Sequence, residues 1–253
     1  MQQKTLLDIC IFDLDSTLCP REAPASERTL ERLRNWHDTH KLHLAICSGK
    51  PLTYLNGFAR QVGLDRLHLI AGNGGELQLG SGFPAIYQEV LADDPEALEL
   101  MQEIKDYMRQ KHPTDVWIQD NRTGGAVFPV YPHPERPFRA LEHCGRMEEA
   151  LDLLSAEIQE RFGARLNCLD LYRHEDCIDF AQRGTDKGRA VQRLLDLLGL
   201  SAERAAAVGD GPNDQPMLDA VRHSISIANP QHQRVWRRVA TIDEALDCLA
   251  ELL

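Results

Sequence analysis

Two aspartates, Asp13 and Asp15, follow the apolar run 6–12, which only Asp8 interrupts and which predicts a buried strand. Carboxylates two positions apart at the end of a strand point into the crevice where open α/β sheets bind ligands. One carboxylate could attack phosphorus and hold a metal ion. The other could protonate a leaving oxygen and later deprotonate water. The alternative is an acidic turn that only ends the strand, because aspartates also bond local amides.

A second acidic cluster follows another strand-like run and contains Asp210, Asn213 and Asp214 beside two glycines. The glycines allow backbone to come close to a ligand. Together with Asp13 the cluster supplies hard oxygen ligands for an ion that keeps several waters, which describes Mg²⁺. The alternative is that Asn213 or Asp214 caps a helix.

Two further positions could hold a phosphoryl group. Ser48, followed by Gly49, carries a hydroxyl and an amide just before a helix that starts at Pro51, and such a helix start can bind a phosphoryl oxygen. A turn or capping serine is the alternative. Lys187 falls in the first turn of a predicted helix, where a cation is mildly unfavourable for the helix dipole. We therefore expect it to neutralise phosphate and a nucleophile, although solvated surface lysines are commoner.

The elements that must position these residues alternate between strand and helix at both ends of the chain. The pattern predicts strands at 6–12, 43–47, 67–71, 205–208 and 224–228, and helices at 26–40, 51–62 and 185–198 and from about 213 and 243. This rhythm is typical of a parallel sheet covered by helices. It predicts an α/β fold whose Rossmann-like core spans 1–80 and 181–253.

The segment 81–180 has a different rhythm and predicts an inserted α+β domain. Its predicted helices cover about 95–110 and 146–161, and its predicted strands cover 116–119, 126–130, 166–171 and 177–181. The segment therefore interrupts the core and returns to it near Gly184.

Composition narrows the class of protein. The formal net charge of −11 argues against a nucleic-acid partner, which would need a basic footprint. The amino-terminal residues do not resemble a secretory signal, and no apolar run is long enough to span a bilayer, so we expect no membrane partner. Seven cysteines without a Cys-x-x-Cys pair favour a reducing cytoplasm. Both a monomer and a homodimer remain open.

The four motifs, in this order along the chain, resemble those of the haloacid dehalogenase-like superfamily of phosphohydrolases. The resemblance implies that Asp13 is the nucleophile and that Asp15 is the general acid and base, with its main-chain carbonyl on Mg²⁺. It implies phosphate-binding roles for Ser48, Gly49 and Lys187, and metal-binding roles for Asp210, Asn213 and Asp214. Ser16 stands where many relatives have glycine, which is a mild departure from the family pattern.

The inserted segment resembles the large type IIB cap of the branch similar to Cof-type, sucrose-phosphate, trehalose-phosphate and mannosyl-phosphoglycerate phosphatases. The acid at position 15 is typical of phosphatases and phosphomutases rather than of dehalogenases or ion pumps. The resemblance implies Mg²⁺-dependent hydrolysis of a small phosphomonoester, such as a sugar phosphate, a phosphoglycerate or phosphoglycolate, through an aspartyl-phosphate. The alternatives are a phosphosugar mutase and a phosphate-ligand-binding protein that has lost catalysis.

Polar residues of the inserted segment are candidates for contact with the leaving group. They are Arg122, His133, Arg136, Arg173 and His174. For each of them a solvated surface position is the alternative.

Overall fold

The computed structural model describes residues 5–21, 23–64, 66–82, 84–119, 127–132, 147–173 and 176–253. Its contacts divide the chain into two compact units. The first unit comprises Met1–Leu91 and Asp186–Leu253, and the second comprises Ala92–Thr185.

Strands and helices alternate along most of the described chain. In chain order the strands are β1 (Ile9–Phe12), β2 (His43–Cys47), β3 (His68–Ala71), β4 (Glu76–Leu79), β5 (Tyr87–Val90), β6 (Val116–Ile118), β7 (Val127–Pro132), β8 (Leu169–Arg173), β9 (Ile178–Gln182), β10 (Ala205–Gly209), β11 (His223–Ile227) and β12 (Arg237–Val239). The helices are α1 (Glu27–His40), α2 (Leu52–Val62), α3 (Pro95–Lys111), α4 (Met147–Phe162), α5 (Lys187–Leu198), α6 (Gln215–Asp219) and α7 (Ile242–Ala250).

The first unit contains one eight-stranded sheet in the order β12-β11-β10-β1-β2-β3-β4-β5. The strands from β12 to β3 pair in parallel, and only the β3–β4 and β4–β5 pairs are antiparallel. Phe12 pairs with Val208 and with Ile46, so β1, β10 and β2 end side by side. This register brings the residues that follow these three strands to one edge of the sheet.

Both faces of the sheet are covered by helices, and β1 shows why. Cys10 and Phe12 belong to the cluster that includes α1, α2 and α7, whereas Ile9 and Ile11 belong to the cluster that includes α5 and α6. All four residues are buried, because a parallel strand between two helical layers has no solvent face. The continuous apolar run in the sequence is the result.

Local signals at the helix ends agree with the predicted boundaries. The Ser26 hydroxyl accepts a hydrogen bond from the Thr29 amide at the start of α1, and Gly63 ends α2 in the left-handed region at φ 70°. Asp186 caps α5 by accepting from the Arg189 amide. The predicted helices at 26–40, 51–62 and 185–198 are confirmed.

The second unit has its own antiparallel sheet in the order β6-β7-β9-β8. Helices α3 and α4 pack against it in one apolar cluster, which includes Met101 of α3, Leu154 of α4 and Phe180 of β9. The α/β prediction, with a mostly parallel sheet in one unit and an α+β arrangement in the other, is therefore confirmed.

Some elements differ from the prediction. The strands β5 and β12 were not predicted, because both lie at sheet edges and neither carries the buried apolar run of a central strand. The predicted strand at 166–171 begins only at Leu169, after a 3₁₀ segment at Gly163–Cys168. The described helices include none that is both long and apolar enough to cross a membrane.

Candidate active site

The loops after β1 and β10 and the start of α5 meet at the carboxyl edge of the large sheet. The Lys187 Nζ lies 2.5 Å from the Asp13 Oδ1 and 2.6 Å from the Asp214 Oδ1, and all three side chains are buried. Asp13, Asp210 and Asp214 each place a carboxylate oxygen within 4.8 Å of the others. Residues from opposite ends of the first unit's sequence, Asp13 in one segment and Lys187, Asp210 and Asp214 in the other, thus form one charged cluster.

Asp214 holds the loop between β10 and α6 in place. Its Oδ2 accepts hydrogen bonds from the amides of Asp210, at 2.9 Å, and Gly211, at 2.8 Å. A Cβ at Gly209 would lie 2.6 Å from the Asp214 carboxyl carbon, so only glycine fits where the strand turns under this carboxylate. With Lys187 on its other oxygen, Asp214 has hydrogen-bond partners on both sides.

Asp210 is oriented by residues that sequence reasoning missed. The Thr17 hydroxyl donates to the Asp210 Oδ1 at 2.5 Å, and the Asn229 side-chain Nδ2 donates to the Asp210 carbonyl oxygen at 2.7 Å. The His232 Nε2 lies 2.7 Å from the Gly211 carbonyl oxygen. Thr17 could have been noticed, since it lies two positions after Asp15. Nothing in the sequence pattern pointed to Asn229 or His232.

Burial and charge act against each other in this cluster. Burial raises the pKa of Asp13 to about 7, although the Lys187 ammonium opposes that shift. Burial alone lowers the pKa of Lys187, but the carboxylates of Asp13 and Asp214 outweigh it and raise the pKa above its usual range. Burial also raises the pKa of Asp210, while the Thr17 hydrogen bond lowers it. A buried ammonium among three carboxylates leaves the cluster with an excess of negative charge.

Asp15 occupies a more open position than Asp13. Its side chain is 25 % exposed, and its Oδ2 lies 3.4 Å from the Lys50 Nζ. The next residue, Ser16, has φ 63°, in the left-handed region that favours glycine. The departure at Ser16 noted in the sequence therefore falls where a glycine would be relaxed.

Ser48 and Gly49 lie at the same edge of the sheet, after β2. The Ser48 side chain is buried and its hydroxyl accepts from the Lys50 amide at 3.2 Å. A Cβ at Gly49 would lie 3.2 Å from the Asn73 Oδ1, and this oxygen accepts a hydrogen bond from the Asn213 side-chain Nδ2 at 3.1 Å. Asn73 therefore joins the loop after β2 to the loop after β10.

The first turn of α5 is packed too closely to be a solvated surface feature. Lys187 is 1 % exposed. A Cβ at Gly188 would lie 2.4 Å from the Pro216 carbonyl oxygen, so the helix approaches α6 backbone to backbone. The surface-lysine alternative for Lys187 is wrong.

The donor set of the cluster fits a magnesium ion. Each of the three ligand candidates is a carboxylate, the hard oxygen donor that Mg²⁺ takes in proteins. Lys187 and two backbone amides already occupy the oxygens of Asp214. Lys187 donates to the Oδ1 of Asp13, and Thr17 donates to the Oδ1 of Asp210. The Oδ2 of each of these two carboxylates therefore remains for a metal ion.

The structure describes only one of the candidates for leaving-group contact. Arg122, His133, Arg136 and His174 lie outside the described residues. Arg173 is described within the second unit, where its guanidinium contacts the Asp152 carboxylate and donates to the Glu148 carbonyl oxygen at 3.0 Å.

Comparison with families of known proteins gives one match over most of the chain. The family model described as haloacid dehalogenase-like hydrolase matches residues 10–125 and 134–236. These ranges include every residue of the charged cluster.

Individual relatives are distant but cover nearly the whole chain. An HMP-PP phosphatase of Enterobacter sp. (strain 638) is 24 % identical over 248 residues, which cover 90 % of this chain and 86 % of the relative. An HMP-PP phosphatase of Yersinia pestis (strain Pestoides F) is 24 % identical over 234 residues, which cover 87 % of this chain and 84 % of that relative. The crystal structure of a haloacid dehalogenase-like hydrolase from Bacteroides thetaiotaomicron matches with a TM-score of 0.75 at 17 % identity. The match covers 98 % of this chain and 100 % of that structure's chain.

Proposed function

The chain belongs to the haloacid dehalogenase-like hydrolase family as a phosphatase, and from that premise we propose that it hydrolyses a small phosphomonoester through an aspartyl-phosphate on Asp13. One observation carries the proposal. The Asp13 carboxylate is buried, contacts the Lys187 ammonium and lies beside Asp210 on a neighbouring strand end. A buried carboxylate held by a cation, at a crevice that binds ligands, is arranged for attack on phosphorus.

The first half-reaction transfers the phosphoryl group to the protein. An Asp13 oxygen forms a bond to phosphorus as the bond from phosphorus to the ester oxygen breaks. The protonated Asp15 carboxyl gives its proton to that oxygen, so the alcohol leaves neutral. The partial exposure of Asp15 suits a group that must meet both an alcohol and water.

The second half-reaction regenerates the enzyme. Asp15, now a carboxylate, takes a proton from water, whose oxygen attacks the phosphorus of the aspartyl-phosphate. The bond from phosphorus to the Asp13 oxygen breaks, and inorganic phosphate leaves. We assign to Ser48, the Gly49 amide and Lys187 the task of holding the phosphoryl oxygens through both steps.

We propose Asp13, Asp210 and the Asp15 main-chain carbonyl as the residues that hold Mg²⁺. When bound, the ion supplies positive charge that offsets the carboxylates and orients the phosphate. Asp214 and Asn213 act by holding the loop that carries Asp210, since their side chains already bond Lys187, backbone amides and Asn73.

The proposal extends to the identity of the alcohol that leaves from the phosphate ester. Sugar phosphates, phosphoglycerates and phosphoglycolate are candidates, and the curated relatives named above are HMP-PP phosphatases. We propose that the second unit selects among these alcohols through Arg122, His133, Arg136 and His174, which belong to its sequence. We further propose a cytoplasmic location, because Cys10 and Cys47 are fully buried free thiols that a reducing compartment preserves.

Phosphate release from a substrate panel tests the proposal. The panel contains sugar monophosphates, phosphoglycolate, phosphoglycerates and glycosylated phosphoglycerates, each with Mg²⁺ and with a chelator. We expect sustained release of inorganic phosphate from at least one ester, and loss of release in the chelator. Absence of Mg²⁺-dependent release from every ester would favour a protein that only binds phosphate ligands.

The same assay separates hydrolysis from phosphosugar mutase activity. A mutase returns the phosphoryl group to a sugar, so a sugar phosphate would change isomer while free phosphate stayed below one equivalent per enzyme. Hydrolysis continues over many turnovers. Isomer formation without sustained phosphate would overturn the assignment to hydrolysis.

A further inference from the structure

Two side-chain amides, those of Asn73 and Asn213, lie in contact between the loop after β2 and the loop after β10. The Asn213 Nδ2 donates to the Asn73 Oδ1 at 3.1 Å. Asn73 is buried, and its main-chain amide donates to the Ser48 carbonyl oxygen at 3.0 Å. One hydrogen bond between side-chain amides, called here the amide bridge, therefore joins the two loops.

Each amide of the bridge lies against a glycine of its own loop. A Cβ at Gly49 would lie 3.2 Å from the Asn73 Oδ1 and 3.3 Å from the Asn73 Nδ2. A Cβ at Gly211 would lie 2.5 Å from the Asn213 Oδ1, so a side chain there would displace the amide. The contacts thus run from the backbone at Gly49 through the amide bridge to the backbone at Gly211, the residue after Asp210.

The backbone around Asn73 gives the bridge a fixed origin. Asn73 has φ 52° and ψ 32°, in the left-handed region. The Gly75 amide donates to the Gly72 carbonyl oxygen at 3.1 Å and closes the turn. A Cβ at Gly74 would lie 2.2 Å from the Asp186 carbonyl oxygen, so the turn packs directly on the start of α5. Glycine would adopt the backbone at position 73 with less strain, so the turn itself does not require asparagine.

We infer that Asn73 and Asn213 are positioning residues that set the separation between the backbone at Gly49 and the loop that carries Asp210. The inference rests on the proposed function, because it takes the first loop to hold the phosphoryl group and the second to hold Mg²⁺. A phosphoryl group that meets both loops stays in line with Asp13 only while their separation is fixed. A displacement of about 1 Å can lower the rate by about 10²-fold.

Asn73→Gly tests the amide bridge, since glycine keeps the left-handed turn and removes only the side-chain amide. The probe is p-nitrophenyl phosphate, whose phenolate leaves without a proton, so the first half-reaction does not depend on a proton from Asp15. We expect kcat to fall by about tenfold or more. The Kd for inorganic phosphate, measured by calorimetry with MgCl₂, should rise by about fivefold, the effect of one lost hydrogen bond.

Asn213→Ala removes the other amide of the bridge. It should lower kcat by a similar factor, because the same hydrogen bond is lost. The kcat of the double variant, Asn73→Gly with Asn213→Ala, should lie within about twofold of the lower single variant, since either substitution alone removes the bridge. Losses in kcat that multiply in the double variant would overturn the inference.

The matched control is Lys41→Gly. Lys41 also has a left-handed backbone, at φ 56°, but it is exposed between α1 and β2. This variant should keep the wild-type kcat and the wild-type Kd for phosphate. Circular dichroism and urea midpoints establish that each variant folds, and Asn213→Ala decides the question if Asn73→Gly does not. A folded Asn73→Gly whose kcat stays within about twofold of wild type overturns the inference.

Phosphate binding separates this inference from the proposed function. If wild type hydrolyses no ester but Asn73→Gly still binds phosphate about fivefold more weakly, the proposed function fails and the role of the bridge is supported. If Asn73→Gly binds phosphate as tightly as wild type, the role of the bridge is overturned. A wild-type protein that neither hydrolyses the ester nor binds phosphate would overturn both.

Discussion

The carboxyl ends and the amino ends of the strands in the large sheet, called here the carboxyl edge and the amino edge, carry ionisable residues in contrasting states. At the carboxyl edge, Lys187 and Asp214 are each 1 % exposed and Asp13 is 8 % exposed. At the amino edge, Asp8 and Arg204 form a two-point ion pair, and each side chain is about one third exposed. Asp8 and Asp13 lie directly before and after the same strand, β1.

The amino edge also contains a neutral pair. The His43 Nδ1 lies 3.1 Å from the His68 Nε2, and the His68 Nδ1 accepts from the Gly80 amide at 3.2 Å. Burial lowers the pKa of His68 to about 4, so this ring stays uncharged. One edge therefore buries charge at a cost to folding, and the other keeps its buried groups neutral and its charges in solvent. The difference supports the carboxyl edge as the proposed active site.

Replacing the two aspartates that flank β1 tests this contrast most severely. Asp13→Asn should lower kcat by at least about 10³-fold, because an amide oxygen is a poor nucleophile and no other group replaces it. Asp8→Asn, the same substitution at the other edge, should keep kcat/KM within about twofold of wild type, since the Asp8–Arg204 pair is partly exposed. Steady-state phosphate release measures both, and comparable losses in the two variants would erase the contrast.

Removing one cation from each edge compares their folding energies. Lys187→Met should lower the free energy of unfolding by about 3–5 kcal/mol without Mg²⁺, because two buried carboxylates lose their partner. Arg204→Met should lower it by about 1 kcal/mol or less, since that ion pair is exposed to solvent. Urea unfolding of both variants gives the values. A small loss in Lys187→Met would mean that the buried charges are not held as described.

Lowering the pH should destabilise the amino edge. Burial lowers the pKa of His68 from 6.5 in the free group to about 4 in the folded protein. Between pH 6.5 and pH 4 the unfolded chain therefore binds more protons than the folded one, and the free energy of unfolding decreases as the pH is lowered. Between about pH 7 and about pH 5, wild type should lose about 2 kcal/mol of unfolding free energy more than His68→Gln does. The neighbouring ionisable groups, His37, His43 and Asp8, are present in both proteins. Equal losses in the two proteins would show that His68 is not held neutral.

The raised pKa of Asp13 acts in the opposite direction at the carboxyl edge. Its folded state holds a proton more tightly than the unfolded chain does, so its contribution to stability declines as pH rises toward about 7. This opposite sign is why the comparison with His68→Gln, rather than the raw pH profile, isolates the amino edge.

Thr17 tests whether Asp210 is positioned for a metal ion. Thr17→Val removes the hydroxyl that donates to the Asp210 Oδ1 and keeps the side-chain shape. We expect about a tenfold weaker apparent affinity for Mg²⁺, the lower end of effects from residues that orient metal ligands. Titration calorimetry with MgCl₂ and the Mg²⁺ dependence of phosphate release check it. Thr39→Val, on the exposed surface of α1, is the control and should leave the affinity unchanged. An unchanged affinity in Thr17→Val would contradict this role.

Ser16→Gly should have the smallest effect. Glycine relieves the left-handed backbone at φ 63°, but it also gains freedom in the unfolded chain. We expect the free energy of unfolding to rise by about 1 kcal/mol or less, measured in urea. Destabilisation instead would indicate that the Ser16 side chain contributes contacts that outweigh the strain.

Much of the carboxyl edge could be predicted because short stretches of sequence identify its residues. Asp13, Ser48 and Asp210 each follow a short apolar run, and a run of that kind predicts a buried parallel strand. Parallel strands end at a common edge once their order is known. The sequence therefore placed these residues together without any information on distances.

The supporting contacts could not be predicted, because they depend on register and on long loops. The bond from Asn229 to the Asp210 carbonyl and the stacking of His43 on His68 join segments that share no sequence pattern. The edge strand β5 alternates between half-buried and exposed positions without a strong apolar signal. Such features arise only when tertiary packing overrides local preference.

The central claim is that Asp13 carries the phosphoryl group, and chemical trapping tests it most directly. The enzyme is quenched during turnover with Mg²⁺ and substrate and treated with borohydride, which reduces an acyl phosphate to an alcohol. Peptide mass spectrometry should then find homoserine in place of aspartate at position 13 only, and none without substrate. Homoserine at Asp15, or no homoserine at any position while phosphate is being released, would contradict the account.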